Sequence, residues 1–282
     1  MRPNLSTEAP AIPSTRRVER HRLSTRVWHW ANALTVFLML MSGLMIFNAH
    51  PRLYWGQYGA NADPAWLEIG STRSQGYARL GSMTLETTGV LGLWTGPSGT
   101  IERRAFPGWM TIPSYYSLAG ARRWHLAFAW ILAAGLIAHW IASLFNKHLS
   151  RDLAASRGEL TPRHLWQEIA DHARLRFARG DAALRYNTLQ KLSYLGVIFL
   201  LLPLLLLSGL AMSPAMDAAW PWLLDIFGGR QSARSVHFIC AMLMVLFIFV
   251  HLVMVTLAGP FNEIRSMITG RIAVPAEGGS RG

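Results

Sequence analysis

Residues 235–257 read SVHFICAMLMVLFIFVHLVMVTL, and this stretch decides the fold. It holds no Asp, Glu, Lys or Arg, and its 23 residues exceed the roughly 20 that a helix needs to cross a bilayer core. A helix lying on the surface of a soluble domain is amphipathic, whereas this one is apolar on every side apart from two histidines. Three more blocks of the same kind occupy residues 27–49, 124–145 and 189–212. The fold class expected is therefore an all-α membrane protein, a bundle of four transmembrane helices. Pro203 falls inside the third span, where a membrane helix tolerates it with a kink.

Of the 282 residues, 51% are hydrophobic, and they are gathered into these blocks rather than spread in short periodic pieces. The net charge of +12 raises the question of nucleic acid, but the aromatic–basic interleaving and recognition motifs of such binders are missing. The basic residues flank the spans instead. Six arginines lie between Arg2 and Arg26, and eight Lys or Arg lie between Lys147 and Arg185. In the third loop Arg230 precedes span four, against Asp217 and Asp225. The positive-inside rule then places both termini and the second loop in the cytoplasm. Arg122 and Arg123 oppose this and are outnumbered.

Residues 1–26 form a basic tail without a separate apolar run and cleavage site, so no signal peptide is expected. Residues 27–257 form the membrane domain, and 258–282 a second cytoplasmic tail. The extracytoplasmic loop between spans one and two, residues 50–121, is too long for a simple connection. It is rich in Gly, Trp, Tyr and Pro, and TGVLGLWTG at 88–96 has hairpin-like punctuation, so an ordered outer cap is expected. In the second loop, Thr161-Pro162 starts an amphipathic segment, 161–179, with Leu165, Ile169, Ala173 and Phe177 four residues apart. His164 and His172 on it are read as solvated, and His50 and His148, just beyond span ends, are given no role. SGLM at 42–45 and SGLAM at 208–212 form a faint repeat.

Cys240 is the only cysteine, which excludes an internal disulfide, a four-thiolate cluster and c-type haem attachment. It reads as a small buried hydrophobe. No nucleotide loop, zinc motif or nucleophile elbow is present.

Histidine is the residue that carries chemistry here. His29, His125, His139, His237 and His251 lie in or at the ends of the spans, where an ionisable group is costly and has a function by default. His125 and His139 are fourteen residues apart, and so are His237 and His251. On a helix this is a rise of about 21 Å with a return to within about 40° of the same face. Two such helices facing each other make two stacked sites. Iron in a porphyrin has two axial positions, both of which imidazole can fill, and helix bundles build such sites between facing helices. Gly43, Gly135 and Gly209 offer room for a flat macrocycle or for close helix packing.

RVWHWANALTVFLMLMSGL at 26–44 resembles the first span of the di-haem cytochrome b subunits of hydrogenases, formate dehydrogenases and thiosulfate reductases, the prokaryotic cytochrome b-561 type. RRWH at 122–125, the paired histidines of span four and RSMITG at 265–270 match the same pattern. The resemblance implies two haem b groups, the outer on His125 and His237 and the inner on His29 and His251. His139 departs from the family pattern and is an alternative to His29, or a quinone-site candidate. It further implies electron transfer across the bilayer between quinone and an extracytoplasmic metalloenzyme or electron-transfer protein, often one containing molybdenum, with the cap as docking surface. The alternatives are a stand-alone cytochrome passing electrons between a small redox substrate and quinone, and, in another class, a His-lined metal-ion transporter.

Overall fold

A computed structural model describes residues 15–145, 156, 158–174 and 187–275. His148, the end of the expected amphipathic segment and the extreme tails fall outside these residues. The elements in chain order are β1 (Thr15–Glu19), α1 (Leu23–Phe47), β2 (Arg52–Leu53), β3 (Leu67–Ser71), β4 (Gly76–Leu80), β5 (Met83–Glu86), β6 (Trp94–Thr95), β7 (Ile101–Glu102) and α2 (Leu118–Phe145). Then come α3 (Pro162–Ala173), α4 (Thr188–Gly196), α5 (Leu202–Ala211), α6 (Pro214–Ala219), α7 (Pro221–Ile226), α8 (Arg230–Ala258), α9 (Pro260–Thr269) and β8 (Arg271–Pro275).

Four helical runs are long and apolar enough to cross a membrane: α1, α2, Thr188–Ala211 and α8. Each matches an expected span, and α2 and α8 start five or more residues earlier than hydropathy placed them. The chain divides into two compact units. The larger comprises Trp28–Ala154 and Lys191–Val250. Its core is built by all four spans, with Val36, Leu132, Leu136, Leu202 and Met244 buried together. Outward, Phe37, Trp130, Leu200, Leu246 and Phe249 are exposed, as an apolar helix surface is when its solvent is lipid.

Before Pro203 the helix leaves regular α geometry. A π-helical turn, Val197–Leu201, joins α4 to α5. Proline has no amide hydrogen and its ring crowds the carbonyl four residues back, so widening the preceding turn relieves that clash without leaving the helix.

The cap belongs to the same unit and is ordered, although built differently from a single hairpin. Strands β2-β3-β4-β5 form an antiparallel meander, and β6 pairs with β7. TGVLGLWTG is mostly the turn-rich link into β6, with Gly89 and Gly92 at positive φ. At Gly92 the left-handed backbone and a neighbouring carbonyl, 2.1 Å from where a Cβ would stand, both exclude a side chain. Strand alternation sorts the sheet's faces. Leu67, Ile69 and Ala78 pack with Phe47 at the end of α1 and Phe238 of α8, while Glu68 on the other face gathers Arg52, Tyr77 and Arg79. The cap is tied to the start of α8 by Tyr54 O accepting from Ser235 Oγ (2.6 Å), Trp66 Nε1 donating to Ser235 Oγ (2.9 Å), and Arg234 donating to the carbonyls of His50 and Arg52.

The smaller unit comprises Met1–Val27, Ala155–Gln190 and His251–Gly282. The two tails, for which no secondary structure was expected, pair: β1 lies antiparallel to β8, with Arg17 opposite Ala273. Arg20 Nη1 reaches both carboxylate oxygens of Glu263 at 3.1 Å. In α3, which begins at Pro162 as its sequence predicts, His164 is not simply solvated. Its Nε2 lies 3.1 Å from Thr188 Oγ1 and 3.3 Å from Glu168. The Glu168 carboxylate accepts the amides of Thr188 and Leu189, satisfying donors that the first turn of α4 leaves open. Periodicity along α3 cannot reveal this, because the partner lies about twenty residues onward. Of His172 only the backbone is described.

Candidate functional site

Two of the spanning histidines meet. The rings of His125 on α2 and His237 on α8 stand 6.0 Å apart between centroids, with their planes at 64°. Each is held by the helix that precedes it among the spans, and the two arrangements are near copies. His125 Nδ1 lies 3.1 Å from Met39 O and 3.2 Å from Ser42 Oγ. His237 Nδ1 lies 3.0 Å from Leu205 O and 3.0 Å from Ser208 Oγ. Ser42 donates its own hydrogen to Leu38 O at 2.7 Å, and Ser208 donates to Leu204 O. The serine oxygens are therefore acceptors toward the rings.

A carbonyl can only accept, so Nδ1 carries the hydrogen in each neutral imidazole and Nε2 holds the lone pair. That tautomer is the one suited to binding a metal through Nε2, with Nδ1–H oriented by an acceptor behind it. A metal held by two imidazole nitrogens at about 2 Å each sets the ring centres roughly 6 Å apart. The observed separation fits. Next to each serine is a glycine whose missing Cβ faces the imidazole. A Cβ on Gly43 would stand 3.4 Å from Cε1 of His125, and one on Gly209 would stand 3.4 Å from Cε1 of His237. The faint SGLM/SGLAM repeat is thus a repeated histidine cradle. Ser42 and Ser208 were not singled out as functional by sequence reasoning, and that repeat was their signal.

Above this pair, Phe47 and Phe238 stack at 4.8 Å beneath the cap sheet. Arg234, one turn before His237 on α8, lies over the Phe47 ring at 5.7 Å. Cys240 is buried, as its apolar setting implies.

At the other histidine level, Trp28 is the organiser. Its indole stacks on His139 with centroids 5.1 Å apart and planes at 13°. The room that Gly135 offers is taken by this same ring, since a Cβ there would come within 2.5 Å of Trp28 Cζ3. Gly135 therefore serves tryptophan packing and not an open slot for a macrocycle. His139 Nε2 lies 3.4 Å from Ser143 Oγ, one turn along its own helix. His29 meets the adjacent Trp30 edge-on at 5.1 Å. His251 lies on the part of α8 that belongs to the smaller unit. Among the described residues, no group of three or more His, Cys, Asp or Glu is arranged to hold a metal ion. A two-histidine site needs its remaining ligands from outside the protein, as a porphyrin provides them.

The family model described as prokaryotic cytochrome b561 matches residues 20–270. The chain belongs to that family. It is accordingly a multi-pass membrane haem protein of the haem b class. This cytochrome b561 is 31% identical over 140 residues to a protein of Azospira oryzae (strain ATCC BAA-33 / DSM 13638 / PS). That protein is named putative protein-methionine-sulfoxide reductase subunit YedZ1, and the match covers 50% of this chain and 67% of the relative. No solved structure matches the chain.

Proposed function

We propose that this cytochrome b561 is a di-haem electron carrier that moves electrons across the bacterial inner membrane between the quinone pool and an extracytoplasmic oxidoreductase. The observation that carries the proposal is the facing pair His125–His237, with both Nδ1 atoms anchored to carbonyl and serine oxygens. Haem b, when bound, supplies a one-electron carrier. His125 and His237 would hold its iron through their Nε2 atoms, and iron held by two imidazoles would serve electron transfer rather than substrate chemistry. The chain's own residues set the tautomer, fix the ring planes and keep the pair beneath the cap.

The second haem is assigned to His29 and His251, with His139 as the alternative to His29 or as part of a quinone site. The flanking lysines and arginines support a topology with both termini in the cytoplasm and the cap outside. The relative's name, a subunit of a protein-methionine-sulfoxide reductase, supports a reductase as the partner, here a metalloenzyme docking on the cap. Substrate chemistry then resides on the partner.

Reduced-minus-oxidised spectra with pyridine haemochrome counting test the assignment. Two haem b per chain are expected, falling to one in His237→Ala. His29→Ala compared with His139→Ala names the inner ligand. A purified chain without a Soret band, or a colourless one holding zinc or copper, refutes the proposal in favour of transport. Turnover with a small substrate and quinone in the absence of a second polypeptide favours the stand-alone alternative.

A further inference from the structure

The cap sheet has one apolar face, and protein covers only part of it. Register puts Leu67, Leu80 and Met83 in one row across β3, β4 and β5, and Ile69, Ala78 and Leu85 in the next. Cross-strand partners share a face, so all six side chains point the same way. The opposite face carries Glu68, Arg79 and Thr84, then Tyr77 and Glu86. The apolar face is the one turned toward the helix ends, because Ile69 is buried against Phe47 and Phe238 packs beside it.

Along that face, burial is lost from one strand to the next. Ile69 is 5% exposed, whereas Leu80 is 55%, Met83 71% and Leu85 64% exposed. The β4–β5 hairpin therefore projects beyond the helices, still presenting its apolar side in the direction of the spans. Directly below the inner strands lies a cleft of about 340 Å³, lined by Trp66 and Leu67 of the cap and by apolar residues of α8 between Phe238 and Leu246. The cleft opens onto the lipid-facing flank of α8, where Leu243 and Leu246 are half exposed. Its lining offers no polar group to fix a ligand, since the one indole N–H, that of Trp66, is committed to Ser235. Hydrocarbon suits it better than a ring bearing carbonyls.

We infer that the apolar face of the cap sheet rests on the bilayer: Leu80, Met83 and Leu85 enter the interface of the cap-side leaflet, and an acyl chain occupies the cleft under Trp66. This rests on the membrane placement of the four spans. The physical cause is direct. Three large exposed apolar side chains on one face are costly in water at about 25 cal/mol per Å² of apolar surface, and the nearest apolar medium continuous with them is lipid. The cap is then held both by its hydrogen bonds to α8 and by the membrane surface, which fixes its height above the His125–His237 pair.

Single cysteines placed in a Cys240→Ala background, labelled with an environment-sensitive fluorophore and reconstituted into bilayers containing spin-labelled lipid, test this. Met83→Cys and Leu85→Cys should show blue-shifted emission and quenching by lipid. Thr84→Cys and Glu86→Cys should show neither, giving an alternation of period two. Leu246→Cys reports a lipid-facing span and Ser98→Cys an exposed turn of the cap between β6 and β7. Aqueous emission at 83 and 85 together with quenching at 246 overturns the inference. Shielding at all four strand positions without lipid quenching does so as well, and assigns the hairpin to a protein interface. Absence of quenching at 246 defeats the membrane reading itself, and the inference with it.

Discussion

The hydroxyl oxygen of Ser208 lies 3.0 Å from Nδ1 of His237, and Ser42 holds the same relation to His125 at 3.2 Å. Because each serine gives its hydrogen to a carbonyl on its own helix, it accepts from the ring and makes the imidazole a stronger donor to a metal. Electron-rich ligands stabilise the oxidised metal. Ser208→Ala should therefore keep the haem but raise its midpoint potential, by about 20–60 mV if the lost hydrogen bond is worth about 0.5–1.5 kcal/mol. Redox titration of the variant against the parent measures this. A fall in potential contradicts the acceptor role.

Gly43 and Gly209 leave 3.4 Å between an added Cβ and the imidazole. Alanine should fit at either site with ring shifts too small to lose haem. A branched side chain has no such room, so Gly209→Val should displace His237 and remove one haem per chain, with a cost of about 1–3 kcal/mol in stability. Haem stoichiometry of the Ala and Val variants, compared side by side, decides the matter.

Gly135 is the less forgiving position. Its Cβ would lie 2.5 Å from the Trp28 ring, so even Gly135→Ala must push the indole off His139. The expected loss is about 1–3 kcal/mol, read as earlier thermal release of haem. The haem signal that changes should be the one that changes in His139→Ala. Two unrelated spectral effects would show that the stack does not position His139.

In the cap, Glu68 is nearly covered and accepts from Tyr77 at 2.7 Å and Arg52 at 2.7 Å, with Arg79 at 3.3 Å. Burial pushes its carboxyl pKa up, but the hydrogen bonds from Tyr77 and Arg52, with the charges of Arg52 and Arg79, outweigh that and hold it below its ordinary value. A depressed carboxylate stabilises the fold above the ordinary glutamate value of about 4.3, and the contribution is lost as pH falls through the folded value. Glu68→Gln should therefore speed amide exchange in β3 and β4 at neutral pH, by about ten- to a hundredfold for a loss of about 1–3 kcal/mol. The gap between variant and parent should narrow below the ordinary glutamate value and close as pH falls through the lowered one. A gap independent of pH would mean that shape, not charge, matters there.

The four spans were legible along the chain because lipid imposes a strong local requirement, a long run without charge, that needs no knowledge of the partner helices. The histidines were legible for the same reason, since an ionisable side chain stands out against such a background. The cap was foreseen only as ordered. Its strands are two to five residues long, and what defines them is pairing with neighbours that no local pattern reports. The tails were missed altogether: β1 and β8 are short, and they pair across nearly the whole length of the chain. His164 was taken as solvated because its helix is amphipathic, while its actual partner begins the next helix.

By itself the sequence determined which segments enter the membrane and the depth of each histidine along its helix. Both follow from hydropathy and the rise per residue, which act over one segment at a time. Only the tertiary structure decided that Met39 and Leu205 turn a carbonyl to an imidazole, that Trp28 fills the space beside Gly135, and that the apolar side of the cap sheet faces the helices. Those outcomes join residues far apart in the chain, and helix packing, not any local preference, selects which of them meet.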